Sequence, residues 1–147
     1  MELTTFTMVL RFTLQLEDQT AQFYRDLAAR NNLAQAKELF TKLAENSERR
    51  ERDLERTARE SVDHSLLEPV SGIFEETFAA DSTLPENAGL KDAISAAIAL
   101  EERMAKFYSE AGEKIQFISN VSRLYRRYAQ DRTKALASLK EMGAVQS

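Results

Sequence analysis

The chain has 147 residues, 43% of them hydrophobic and 30% charged, with four glycines, two prolines and a net charge of −4. That is the length of one ordinary domain with a core of its own, and the composition is that of a helical globular protein rather than a disordered or fibrous one. Cysteine is absent and no basic run is sustained, which excludes disulfides, thiolate metal sites, iron–sulfur clusters and cysteine nucleophiles, and argues against a nucleic-acid partner.

Thr4 or Thr5 is placed to cap a first helix running to about Arg30, where Asn31-Asn32 offers a stop. The apolar stretch from Phe6 to Leu16 follows Glu2, is interrupted by Arg11 and has no basic leader or small-residue cleavage site. It is therefore expected to be mature helix rather than a signal peptide. Nothing approaches the roughly 18 apolar residues of a membrane span, and the expected compartment is cytoplasmic. The inward row of this helix is Phe6, Leu10, Glu17, Ala21, Tyr24 and Ala28. A second apolar row, Phe12, Leu16 and Phe23, falls more than a quarter turn away at about 100° per residue. Two readings stay open for it: the later crossover covers it, or it is the face of a homodimer.

A second helix is expected from near Leu33 or Ala34 to about Asp63, with Phe40, Leu43, Ala44, Ser47, Leu54 and Ala58 along one side. Glu45 to Arg56 alternates in charge, the mark of a solvated face with i,i+4 pairs. Arg50 departs from that pattern, because it lies three residues after Ser47 and four before Leu54, on the apolar stripe. From His64 to Gly89 the periodicity fails, punctuated by Pro69, Gly72, Pro85 and Gly89, and only Ile73 to Phe78 suggests a short helix. His64, the single histidine, reads as a surface residue with no partner motif. A third helix is expected from Leu90 to about Glu113, and a fourth from Asn120 to Met142 with Gly143 as its C-terminal cap. Along the fourth, Val121, Leu124 or Tyr125, Tyr128, Arg132, Ala135 and Leu139 form the inward row, so a basic residue again occupies a core register.

The chain repeats itself. Leu16-Glu17-Asp18-Gln19-Thr20-Ala21-Gln22-Phe23-Tyr24 returns as Leu100-Glu101-Glu102-Arg103-Met104-Ala105-Lys106-Phe107-Tyr108, 84 residues later. Leu39-Phe40-Thr41-Lys42-Leu43-Ala44 returns, offset by 85, as Leu124-Tyr125-Arg126-Arg127-Tyr128-Ala129. Each half thus carries one version of the same helix pair: residues 5–63 and 90–142 of a single domain spanning 1–147, joined by a crossover over 64–89. Glu17 and Glu101 sit one heptad from apolar or aromatic residues on either side, and a buried carboxylate without counter-charge is very costly.

Two helix pairs joined by a long crossover, each first helix carrying Leu-Glu-x-x-x-Ala-x-Phe-Tyr, resemble the ferritin-like, rubrerythrin-type antiparallel four-helix bundle over nearly the whole chain. The resemblance implies an all-α fold and an oxidoreductase centre in which two iron ions are held by one Glu from each first helix and a Glu-x-x-His pair from each second helix. Carried over by position, Glu17 and Glu101 retain the first-helix ligands. Where the other four are expected, the chain has Ser47 and Arg50 in helix two, Arg132 and Ala135 in helix four.

Two carboxylates facing one or two guanidinium groups balance without a metal, and a protonated Arg repels a cation. The expectation is therefore a buried ion-pair cluster of Arg132, with Arg50, on Glu17 and Glu101, no catalytic residue and no cofactor, in a structural or partner-binding protein forming a homodimer. The competing expectation is a divergent oxidoreductase holding iron or manganese on Glu17 and Glu101. Glu51 and Asp131 flank the site as substitute ligands for an oxygen-only centre suited to Mg, Ca or Mn. A small anion on Arg50 and Arg132, with Tyr24 and Tyr108 donating hydrogen bonds, is a further alternative.

Overall fold

A computed structural model describes residues 1–60, 68–79 and 83–146 of the chain. Among them are five α-helices: α1 (Phe6–Ala29), α2 (Lys37–Glu60), a four-residue α3 (Glu75–Phe78), α4 (Leu90–Lys114) and α5 (Ser119–Gln146). His64 and the expected end of the second helix at Asp63 lie outside the described residues.

Helix α1 begins where the sequence puts it. The Thr5 hydroxyl accepts the Met8 amide at 3.2 Å, satisfying one of the amides that a first turn leaves without a partner. It ends at Ala29 with Arg30 as its cap, also where the sequence puts it, and the departure from expectation lies in the connection to α2. Asn31–Ala36 forms a short 3-10 helix interrupted at Leu33, whose φ of −116° and ψ of 22° leave the helical region. Leu33 and Ala36 are both buried, so the connection closes on its own apolar side chains and α2 starts at Lys37, three residues later than Ala34.

The helices pack as two antiparallel hairpins, α1 with α2 and α4 with α5, around one hydrophobic core to which the four long helices all contribute. Within the second hairpin, a Cβ on Gly112 would lie 3.2 Å from the Tyr125 Cβ; glycine there lets α5 come close. Its carbonyl accepts the Ser122 hydroxyl at 2.7 Å. Helix α5 runs through Gly143 to Gln146, which corrects the expected cap: among the described glycines only Gly72 has a positive φ, of 87°.

The crossover explains the direction of α4. Its first described part pairs with the N-terminus, Leu3 N–H donating to the Ile73 carbonyl at 2.8 Å and Val70 N–H to the Thr4 carbonyl at 2.9 Å. Its last part lies by the other end of α1. There Arg30 donates to the carbonyls of Pro85 at 2.7 Å and Leu84 at 3.0 Å, and Asn32 to that of Ala88 at 2.9 Å. The chain therefore travels the length of α1 before entering α4, a route that a tight turn would forbid.

The second apolar row of α1 is buried inside the chain. Phe12 meets Phe107 of α4 edge-on at 5.7 Å, and Phe107 meets Phe78 of the crossover at 5.2 Å. Phe12, Leu16 and Phe23 are at most 7% exposed, so this row offers no free face for the homodimer read from it. No described helix is long and apolar enough to cross a membrane.

Candidate functional site

Four ionisable side chains meet at the centre of the bundle, one from each long helix: Glu17 from α1, Arg50 from α2, Glu101 from α4 and Arg132 from α5. Glu17, Glu101 and Arg132 are 0% exposed and Arg50 is 4% exposed. Each lies on the apolar stripe of its helix, and so folding the core drags the charge inside with it.

Arg132 occupies the middle. Its Nη1 donates to both oxygens of Glu101, at 2.8 and 2.9 Å, and its Nη2 donates to Glu17 Oε1. The second Glu17 oxygen accepts from Arg50 Nε at 2.5 Å and from the Tyr108 hydroxyl at 2.7 Å. Glu101 Oε1 also accepts from the Tyr24 hydroxyl at 2.9 Å. The tyrosines thus cross over between the repeats, each hydroxyl reaching the glutamate of the other helix pair. Ser47 Oγ accepts from Arg50 Nη2 at 3.1 Å. Every carboxylate oxygen is occupied by charge-assisted donors, and two carboxylates face two guanidinium groups, which is the condition for burying such charges. One donor is left over: Arg132 Nε is enclosed without a hydrogen-bond partner among the described residues.

Electrostatics follow from this geometry. Burial by itself pushes the Arg132 guanidinium down, but Glu101 and Glu17 outweigh it and hold the group above its ordinary value, protonated under any ordinary condition. Burial raises the Tyr24 and Tyr108 phenols well above their usual range, and the adjacent Glu101 and Glu17 respectively raise them further. Both hydroxyls therefore remain protonated donors.

Glu51 and Asp131 do not join the cluster. Glu51 lines a groove between α1 and α2 with Asp18 and Glu48, and burial together with Asp18 and Glu17 lifts its carboxyl to about 7. Asp131 lines a separate cavity between α2 and α5. Each follows or precedes its arginine by one residue, and one residue along a helix turns a side chain by about 100°. Tyr24 and Tyr108 are committed to the glutamates, which removes the donors from the expected core anion. Ala135 is a partly buried apolar residue packed against the core.

Two features went unread in the sequence. The Tyr128 ring lies under Arg50, 5.9 Å from its guanidinium carbon, a cation–π contact. The Tyr125 hydroxyl shares a 2.6 Å hydrogen bond with Thr13. The available signal for the first was that Tyr128 precedes Arg132 by one turn on the same inward row.

The family resemblance implies a di-iron centre, and these residues do not fit one. Of the six positions only Glu17 and Glu101 carry a side chain of the required kind, and Arg132 hydrogen-bonds both. Among the described residues no group of three or more His, Cys, Asp or Glu side chains could hold a metal ion.

The rubrerythrin family model matches residues 9–137. The chain belongs to the rubrerythrin family. No curated protein matches it. Among solved structures it is similar to a protein of Thermotoga maritima described as a ferritin-like diiron-carboxylate protein, with a TM-score of 0.77 and 16% identity over 97% of both chains. At that identity the likeness establishes the ferritin-like fold of this rubrerythrin-family chain.

Proposed function

We propose that this member of the rubrerythrin family is a metal-free bundle in which Arg132 and Arg50, with Glu17 and Glu101, stand in the place of the family's di-metal centre. Its role is structural or partner-binding rather than oxidoreductase. The observation that supports this reading is the Arg132 fork between the two glutamates. A guanidinium there opposes a cation by about 4 kcal/mol per unit charge at about 4 Å and an effective dielectric near 20. Two carboxylates without imidazole support do not offset that, least of all when each oxygen already accepts hydrogen bonds.

The test is the metal content of the protein purified after growth with added iron and manganese. The expected result is far less than one atom per chain. Stoichiometric iron or manganese, lost on Glu17→Ala, would overturn the metal-free reading and favour the divergent oxidoreductase.

A further inference from the structure

Between α2 and α5, on the outer side of Arg50, lies a cavity of about 260 Å³ lined by Lys42, Asn46, Arg49, Arg50, Asp131 and Lys134, with Leu39, Leu43 and Ala135 as its apolar wall. Besides Arg50, whose charge Glu17 balances, three cations thus face one carboxylate, in a chain whose net charge is −4. Among the described residues, Lys42, Arg49, Lys134 and Asp131 form no ion pair; Arg50, by contrast, is already paired with Glu17. Uncompensated positive charge concentrated in a concave site attracts an anion and focuses it there.

Arg50 gives this cavity a buried, fixed wall rather than a fringe of mobile lysines. The side chain is 4% exposed, locked inward by Nε on Glu17 and Nη2 on Ser47, and stacked on Tyr128. Its Nη1 makes no hydrogen bond among the described residues, so one donor of a preorganised guanidinium is left for a ligand. Asn46 is oriented as well: its Oδ1 accepts from Arg49 Nη1 at 3.1 Å, which leaves the amide NH2 free to donate.

We infer that this cavity is a binding site for a small phosphomonoester. With Arg50 balanced by Glu17, Lys42, Arg49 and Lys134 against Asp131 leave a surplus of two positive charges, which suits a dianion better than a carboxylate, and guanidinium N–H groups match phosphate oxygens. The cavity exceeds the size of a bare phosphate, and the Leu39, Leu43 and Ala135 wall accommodates the organic part. Asp131 accepts a hydroxyl from it. The site adjoins the central cluster through Arg50 and rests on that cluster being in place, because Glu17 and Ser47 hold the guanidinium whose Nη1 is left over.

Isothermal titration calorimetry at constant ionic strength, with chloride as the balancing anion, tests the site using inorganic phosphate and glycerol 3-phosphate as probes. The variants are Lys42→Ala, Lys134→Ala and, in the neighbouring groove lined by Arg123, Arg126 and Arg127, Arg126→Ala. The expected result is saturable binding at one site per chain, tighter for glycerol 3-phosphate, about tenfold weaker in Lys42→Ala and in Lys134→Ala, and unchanged in Arg126→Ala. Absence of saturable binding, indifference to Lys134→Ala, or equal weakening by Arg126→Ala would overturn the site. Binding of inorganic phosphate as tight as that of the ester would overturn the assignment of the ligand class.

Discussion

Among the described residues, Arg132 is the one side chain that hydrogen-bonds both buried glutamates, and replacing it by alanine removes that bridge. Three charge-assisted hydrogen bonds disappear, two to Glu101 and one to Glu17, and two carboxylates are left with Arg50 alone. Breaking a buried pair by removing one partner costs about 3 to 5 kcal/mol, because the remaining charge is desolvated and uncompensated. Urea denaturation followed by circular dichroism measures it. With a slope of about 2 kcal/mol/M, the midpoint of Arg132→Ala falls by roughly 1.5 to 2.5 M. The double variant Arg132→Leu with Glu101→Leu separates lost charge balance from lost volume. It leaves Glu17 paired with Arg50 at 2.5 Å, and it recovers most of the stability, since apolar groups of similar size replace a buried ion pair at little cost. A loss below about 1 kcal/mol in Arg132→Ala, or a double variant no better than the single, would refute the cluster as the centre of the core.

Other consequences follow from the same geometry. Tyr24→Phe and Tyr108→Phe each lose one hydrogen bond to a buried carboxylate, and each lowers stability by roughly 1.5 to 3 kcal/mol in the same denaturation assay; a loss in only one would break the reciprocity between the repeats. All four tyrosines are raised above the ordinary 10.0, by burial first in every case. The folded state therefore holds phenol protons that the unfolded chain releases, and stability falls as pH rises past about 10. Absorbance at the tyrosinate wavelength should appear together with loss of helix, and its appearance in still-folded protein near pH 10 would contradict the burial. Glu51 titrates near 7 in the fold against an ordinary 4.5, so the folded state binds more protons between those values and stability declines across that window, then levels off. Glu51→Gln removes the decline and is the more stable form at pH 8, by less than about 1 kcal/mol because the group is partly solvated; a parent protein with no slope between pH 4.5 and 7 would count against the shift.

The helices were legible because apolar residues recur at helical spacing, and the doubled Leu-Glu-x-x-x-Ala-x-Phe-Tyr stretch made the pairing of halves readable. The site was legible for a related reason: Glu17, Arg50, Glu101 and Arg132 interrupt stripes that are otherwise apolar, and the stripe dictates that they enter the core. Periodicity within one helix carries no information about which groups meet between helices. The crossing of Tyr24 to Glu101 and Tyr108 to Glu17, the bridge made by Arg132 and the seat of Arg50 on Tyr128 were therefore visible only in the fold. Glu51 and Asp131 flank the cluster without entering it, because one residue along a helix turns a side chain by about 100° from its neighbour. The row of Phe12, Leu16 and Phe23 left two readings open, a cover by the crossover or a homodimer face, because the residues that pack there are remote in sequence: Phe107 of α4 meets Phe12 and is itself met by Phe78 of the crossover. Leu33 and Gly143 shifted helix ends, where local capping signals compete with the burial of a single side chain.

Crystals grown from protein produced with supplemented iron and manganese, measured on both sides of each metal's absorption edge, test the central claim most directly. The account predicts no anomalous peak between Glu17 and Glu101 and guanidinium density of Arg132 against both carboxylates. A strong peak bridging the two glutamates, with Arg132 turned away from them, would contradict it.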